Sequence, residues 1–296
     1  MFQGSLVALV TPFGRDNLVD YSGLKRLIDF HVEAGSNGLV IAGTTGEAAT
    51  LTRSEHIKLV EQAVKFSDGR IPIIAGTGSN STAQTVDLSQ ALLGAGIDAF
   101  LIVVPYYNKP TQEGIYQHFM VVANALDKPV MMYNVPGRTV ADMLPETVAR
   151  LSRNGNILGI KEATGDLHRL KAIQDLVEDD FKLFSGDDFT LLPFIEQGGH
   201  GVVTVSGNVA AEQVAKLCSL ALQGQSKSAK KLDDSLQALN RALFIESNPI
   251  PVKWAVSQMG LMEENIRLPL TPYESQFHNQ MRDAMRLAGV ILEENT

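Results

Sequence analysis

One lysine sits where a lysine is costly. In Ile157-Leu158-Gly159-Ile160-Lys161-Glu162-Ala163-Thr164 the chain is apolar up to Lys161. Strand alternation puts Lys161 on one face with Gly159 and Ile157, where the glycine leaves room beside it. Burial disfavours an ammonium and pushes the amine towards neutrality. A neutral lysine amine attacks carbonyls and forms a Schiff base. Such a lysine can equally pair with a carboxylate or extend out to solvent, and residue type alone leaves both readings open.

Other groups with chemical capacity also end apolar runs. Tyr133, in Met131-Met132-Tyr133-Asn134-Val135-Pro136, carries a phenol that could move protons or simply fill a core. Gly43-Thr44-Thr45-Gly46-Glu47 offers two hydroxyls and backbone N–H groups to a small carboxylate, or makes a tight turn. Tyr106 and Tyr107 stand in Pro105-Tyr106-Tyr107-Asn108-Lys109-Pro110, as site lining, an interface anchor or exposed packing. Arg138, in Pro136-Gly137-Arg138-Thr139, suits bidentate carboxylate recognition or a surface salt bridge. The aspartates of Ser185-Gly186-Asp187-Asp188 could ligate a cation or cap a helix; capping is preferred, because no partner ligands recur.

These groups need a scaffold that gathers strand ends. Short apolar runs at Leu6–Val10, Gly38–Ala42, Ile71–Ala75, Ala99–Val104, Pro129–Asn134, Ile157–Ala163, Phe181–Ser185 and Gly201–Val205 read as strands, several of them buried on both faces. Helical patterns lie between and after them, at 20–34, 52–67, 81–94, 112–126, 145–153, 167–178, 188–197 and 210–223. Thr52-Arg53-Ser54-Glu55 forms a capping box, and Pro145 suits a first helical turn. Gly35, Gly69, Gly96, Gly155 and Gly224 stand where helices should stop.

Eight strand–helix units predict a closed (β/α)8 TIM barrel over 1–224, whose reacting groups sit at the C-terminal strand ends. A doubly wound sheet would carry a glycine fingerprint after its first strand, but that turn is Thr11-Pro12-Phe13-Gly14. Residues 225–296 hold no strand pattern and predict a C-terminal helical subdomain, with helices near 227–245, 249–259 and 273–291.

Composition narrows the function classes. The 296 residues carry a formal net charge of −8, with no long basic run to follow a phosphate backbone, so no nucleic-acid partner is expected. The single cysteine, Cys218, excludes an intramolecular disulfide and a cysteine-built zinc site, and the six histidines show no paired metal-binding spacing; no metal is expected. The start of the chain has no basic segment ahead of an apolar run, and no apolar stretch reaches the roughly 18 residues of a membrane span. A cytoplasmic protein without a membrane partner is the expectation.

Together the residues resemble one family. Val7–Phe13, Gly43–Glu47, Arg70–Gly78, Pro105–Gly114, Tyr133–Thr139, Gly159–Gly165, Ser185–Asp188 and Phe244–Trp254 are similar to the dihydrodipicolinate synthase (4-hydroxy-tetrahydrodipicolinate synthase) family, within the pyruvate-dependent class I lyase and aldolase superfamily. The resemblance implies condensation of pyruvate with aspartate semialdehyde, on the way to diaminopimelate and lysine, with no cofactor. It implies that Lys161 forms the Schiff base and that Thr44, Tyr133 and Tyr107 relay protons, Tyr107 coming from a neighbouring subunit of a homotetramer built as a dimer of dimers. Thr45 would hold the pyruvate carboxylate, Arg138 that of the semialdehyde, and Gly186 and Val203 would supply backbone; Val203 stands where isoleucine is common.

Many bacterial members bind lysine as an inhibitor at an interface. The matching positions are Ala49, His56, Asn80 and Tyr106, while Ala48, Arg53 and Gln84 replace a serine, a histidine and a glutamate of the lysine-sensitive pattern. Weak or absent lysine inhibition follows. An N-acetylneuraminate lyase would share Lys161 and Tyr133 but not the set of Thr44, Thr45, Tyr107 and Arg138; a non-catalytic barrel would need none of them.

Overall fold

The computed structural model describes residues 2–292. Met1 and residues 293–296, the outer ends of the two expected units, lie outside the described residues. Eight parallel strands close a barrel in chain order: β1 (Gly4–Ala8), β2 (Gly38–Ile41), β3 (Ile73–Gly76), β4 (Ala99–Val103), β5 (Val130–Asn134), β6 (Ile157–Glu162), β7 (Lys182–Ser185) and β8 (Gly201–Thr204). β8 returns to β1 with Gly4 opposite Gly201 and Leu6 opposite Val203. A side chain at Gly201 would collide with the Gly4 backbone, so the seam closes only on glycine.

Both faces of the sheet are buried, which is why the strands read as continuous apolar runs. Leu6, Val40, Ile74, Leu101, Met131, Tyr133, Phe184 and Val203 fill the interior. Val7, Leu39, Ile41, Phe100, Ile102, Met132, Ile160 and Val202 face the helices outside.

The helices are α1 (Tyr21–Glu33), α2 (Arg53–Ser67), α3 (Thr82–Ala91), α4 (Gln112–Asn124), α5 (Pro136–Thr139), α6 (Pro145–Leu151), α7 (Leu167–Gln174), α8 (Leu191–Glu196), α9 (Ala211–Leu222), α10 (Ser226–Ala242), α11 (Ile250–Ser257) and α12 (His278–Leu287). The Thr52–Glu55 capping box forms as expected. Gly35, Gly69, Gly96 and Gly224 all take positive φ. Gly155 does not: Asn154 makes that turn, its side chain accepting from Asn156 N and its carbonyl from Ile157 N.

One element is added and two other expectations are corrected. The Arg138 segment, which the sequence pattern assigns to no element, forms the single turn α5, with Pro136 at its first position. The last helix is shorter than 273–291, because Tyr273 packs on Trp254 outside it and Gly289, at φ +77°, stops it. Ile157 does not share a face with Lys161. A bulge in β6 pairs Val130 with Ile157 but Met131 with Gly159, so Ile157 turns to the outer layer while Gly159 and Lys161 stay on the barrel side.

The C-terminal helices cover one flank of the barrel. α10 packs on α8, α9 and α12, and α11 packs on α12 and on the turn after β8. Among the described residues no helix is long and apolar enough to cross a membrane.

Candidate active site

Lys161 ends β6 directly beside Tyr133 at the end of β5, the two being register partners. Lys161 is only 6% exposed and makes no ion pair among the described residues; its Nζ lies 4.2 Å from the centre of the Tyr133 ring. Burial pushes the amine down to about 7. The Asp188 carboxylate pulls it back up, and the Arg138 guanidinium pushes it further down. Pairing with a carboxylate does not occur among the described residues.

The space beside the amine comes from Gly186 rather than Gly159. A methyl group at Gly186 would lie 2.8 Å from Lys161 Cε and 2.5 Å from Ala163 Cβ, whereas one at Gly159 would strike the Lys182 backbone of β7. Val203, on β8, is buried in the barrel interior.

The Tyr133 phenol is pushed up by burial, then drawn back by the Arg138 charge and by the neighbouring Thr44 side chain. Lys161, Tyr133 and Thr44 therefore form one chain of contacts across β6, β5 and the β2 loop. The turn that carries Thr44 uses its own N–H groups: Glu47 N donates to Thr44 O and Ala48 N to Gly43 O. Those two amides are not left for a ligand. The Thr45 hydroxyl faces the C-terminal segment, accepting from Asn248 Nδ2 at 3.0 Å. Arg138 is exposed at the rim, and its Nη2 donates to Asn248 O at 3.3 Å.

A cavity of about 820 Å³ opens over this group. Its wall includes Thr44, Tyr133, Arg138, Ser247 and Asn248, and continues past Ala48, Ala49, Arg53, His56, Gln84 and Tyr106. Thr45, Lys161, Gly186 and Val203 are not in that wall; Tyr133 links Lys161 to it. Tyr107 is not brought in either. It is 89% exposed, with φ +72°. Asn80, also outside the wall, accepts at its carbonyl from Asn108 of the same tyrosine loop. Arg53 pairs with Asp87 at 2.9 Å, and Gln84 accepts from the Ser79 hydroxyl.

The expected capping of the next helix by the aspartates does not form: Thr190 is the N-cap residue of α8, and no side chain caps it. Asp187 accepts from Thr190 N at 3.1 Å, just ahead of α8. Asp188 instead accepts from Thr204 Oγ1, Val205 N and Ser206 N, tying β7 to the exit of β8. Burial pushes that carboxyl up, and these three hydrogen bonds draw it back down. Among the described residues no three His, Cys, Asp or Glu side chains converge to hold an ion.

Sequence reading missed two polar clusters. Behind the strands, Asn134 Nδ2 donates to Glu162 and Asp142, and Arg169 reaches both carboxylates, bracing β5 against β6. Glu162 follows Lys161 directly, and a charge facing outward from a buried strand was the available signal. Near the cavity, Glu47 pairs with Lys253; the segment Phe244–Trp254 carried that signal but no role.

The dihydrodipicolinate synthetase family model matches residues 1–288. The 4-hydroxy-tetrahydrodipicolinate synthase of Pseudomonas aeruginosa is 52% identical over 291 residues, covering 98% of this chain and 100% of that protein. The synthase of Psychromonas ingrahamii is 53% identical over 292 residues, with 98% and 100% covered. Among solved structures, the chloride-inhibited dihydrodipicolinate synthase from Acinetobacter baumannii, complexed with pyruvate, superposes with a TM-score of 0.96 at 45% identity, covering 98% of this chain and 100% of that one. The enzyme from Cyanidioschyzon merolae with lysine bound superposes with a TM-score of 0.95 at 39% identity, covering 98% and 99%.

Proposed function

The chain belongs to the dihydrodipicolinate synthetase family, and from that premise we propose that it condenses pyruvate with L-aspartate 4-semialdehyde to 4-hydroxy-tetrahydrodipicolinate, in diaminopimelate and lysine biosynthesis. The observation that carries this reading is the Lys161 amine, buried beside Tyr133 and without an ion pair among the described residues. The neutral amine adds to the pyruvate carbonyl and water leaves, giving an imine. Loss of a methyl proton makes an enamine, whose carbon attacks the semialdehyde's aldehyde. The semialdehyde's amine then closes on the imine carbon and releases Lys161. The lysine nitrogen is the electron sink, so the chemistry calls for no cofactor.

In this reading Thr44 and Tyr133 carry protons between the imine and the cavity, Thr45 holds the pyruvate carboxylate, and Arg138 takes the semialdehyde's carboxylate at the rim. Gly186 and Val203 offer backbone beside the imine. Tyr107 completes the relay of a neighbouring subunit in a dimer-of-dimers homotetramer; its exposed ring and left-handed backbone support that assignment. The barrel of 1–224 holds the chemistry, the helices from 225 on brace it, and the enzyme works in the cytoplasm.

Borohydride reduction with pyruvate tests the core of the reading. A reduced pyruvate adduct on Lys161 supports it, and no adduct removes it. Turnover with aspartate semialdehyde then separates the synthase from an N-acetylneuraminate lyase.

Imine formation needs the neutral amine, whose pKa is about 7. The kcat/KM for pyruvate should therefore rise as pH passes upward through about 7, because protons leave the amine in that direction. A profile already flat from pH 6 upward would contradict a depressed amine.

Ala49, His56, Asn80 and Tyr106 would line a lysine site, yet Gln84 brings no carboxylate to lysine's ammonium and Arg53 adds a cation. Arg53 is engaged by Asp87, so that acid is also partly neutralised. Lysine at sub-millimolar concentration should leave turnover unchanged; clear inhibition would overturn this.

A further inference from the structure

The Thr44–Thr45 turn is not held by the barrel alone. Glu47, which ends it, has a left-handed backbone (φ +55°), where a non-glycine residue stays only if its surroundings hold it. Glu47 is 3% exposed, and its carboxylate meets Lys253 Nζ of α11 at 2.5 Å; Lys253 is 2% exposed. The second carboxylate oxygen accepts from Arg267 N at 3.1 Å. The Phe13 ring lies 4.2 Å below the Lys253 amine and 4.2 Å below the Arg267 guanidinium. Five residues before Lys253, Asn248 donates to the Thr45 hydroxyl and accepts from Arg138 at its carbonyl. One short C-terminal segment thus grips both ends of the turn.

We propose that the buried Glu47–Lys253 ion pair is a positioning device for pyruvate: it sets the Thr44–Thr45 turn against Tyr133 and Lys161, making the C-terminal helices part of the active-site scaffold. A buried pair is seldom a net gain in stability over an apolar one, but it is directional. Apolar packing could hold α11 to the barrel as firmly without fixing the height of two hydroxyls. The proposal rests on the pyruvate–Lys161 reading. That reading fails separately, in the unaltered enzyme, if pyruvate and borohydride leave no adduct on Lys161.

Glu47→Gln/Lys253→Met removes both charges together and leaves neither alone in the interior. Melting and oligomeric state should stay near those of the unaltered enzyme, and pyruvate should still be trapped on Lys161. The KM for pyruvate should rise about tenfold or more, because a displacement of about 1 Å costs this much, while the KM for aspartate semialdehyde stays within about twofold. A pair with only a structural role would lower kcat through the folded fraction and leave both KM values in place. If the double variant does not fold, Glu47→Gln alone, which leaves the Lys253 cation without its counter-charge, is read by the same outcomes. An unchanged pyruvate KM in whichever variant folds overturns the proposal.

Discussion

Lys161→Met leaves a folded barrel that no longer forms a pyruvate adduct and whose kcat falls by about 10⁴-fold or more, since no neighbouring amine can stand in for a lost nucleophile. Methionine keeps the length of the side chain and its packing beside Gly186. The same change should stabilise the fold, because it replaces a buried amine that makes no ion pair among the described residues with an apolar chain. The sign of its pH dependence follows from the amine. Its pKa is about 7 in the folded chain against 10.5 for an ordinary lysine. Below about pH 7 the amine is charged in both states, and folding bears the full cost of burying the cation. As pH rises from about 7 towards 10.5, the folded state has already shed its proton and that cost fades. The stabilisation by methionine should therefore be larger at pH 6 than at pH 9. Asp188 is not orphaned by the change, because Thr204, Val205 and Ser206 still donate to it. Denaturant unfolding at the two pH values, with borohydride trapping, measures both effects; a destabilised variant would mean that Lys161 serves the fold first.

Lys161 and Tyr133 were legible because each breaks an apolar run at its end, and a buried strand tolerates a polar group there only at a cost. The barrel was legible because both faces of each strand are covered, so apolar runs and helical patterns alternate without ambiguity. The bulge at Leu158 was not: it depends on how β6 meets Val130 and Met131 of β5, and no residue in the run marks it. Strict alternation thus assigned Lys161 the right face but a wrong neighbour in Ile157. The room beside the amine was credited to Gly159, on the same strand, although Gly186, on β7, provides it. Glu47 and Lys253 are 206 positions apart, and only the closed fold makes them partners. Tyr107 stood out by its type and by its proline-bounded loop, but its outward direction comes from a left-handed backbone that the local sequence does not announce.

Tyr133→Phe removes one oxygen and keeps the ring that covers the Lys161 amine and packs in the barrel. Phenylalanine should therefore fold normally and still be trapped with pyruvate on Lys161. Burial keeps the phenol protonated around neutral pH, so it works as a proton carrier and not as a standing phenolate. The Thr44 side chain beside it gives a proton arriving from the imine a way outward to the cavity. Without the hydroxyl that path has a gap between Lys161 and Thr44, and turnover should fall by about 10²–10⁴-fold, the usual worth of a positioned acid or base. The loss should fall on carbon–proton transfer. In deuterated water the unaltered enzyme should wash deuterium into the methyl group of pyruvate without any semialdehyde, because the enamine forms and is reprotonated. Tyr133→Phe should slow this wash-out as much as it slows turnover, while the adduct on Lys161 remains trappable. Wash-out at the unaltered rate would assign the methyl proton to another base and leave Tyr133 only the later steps. Equal loss of adduct and wash-out would place the phenol in imine formation itself.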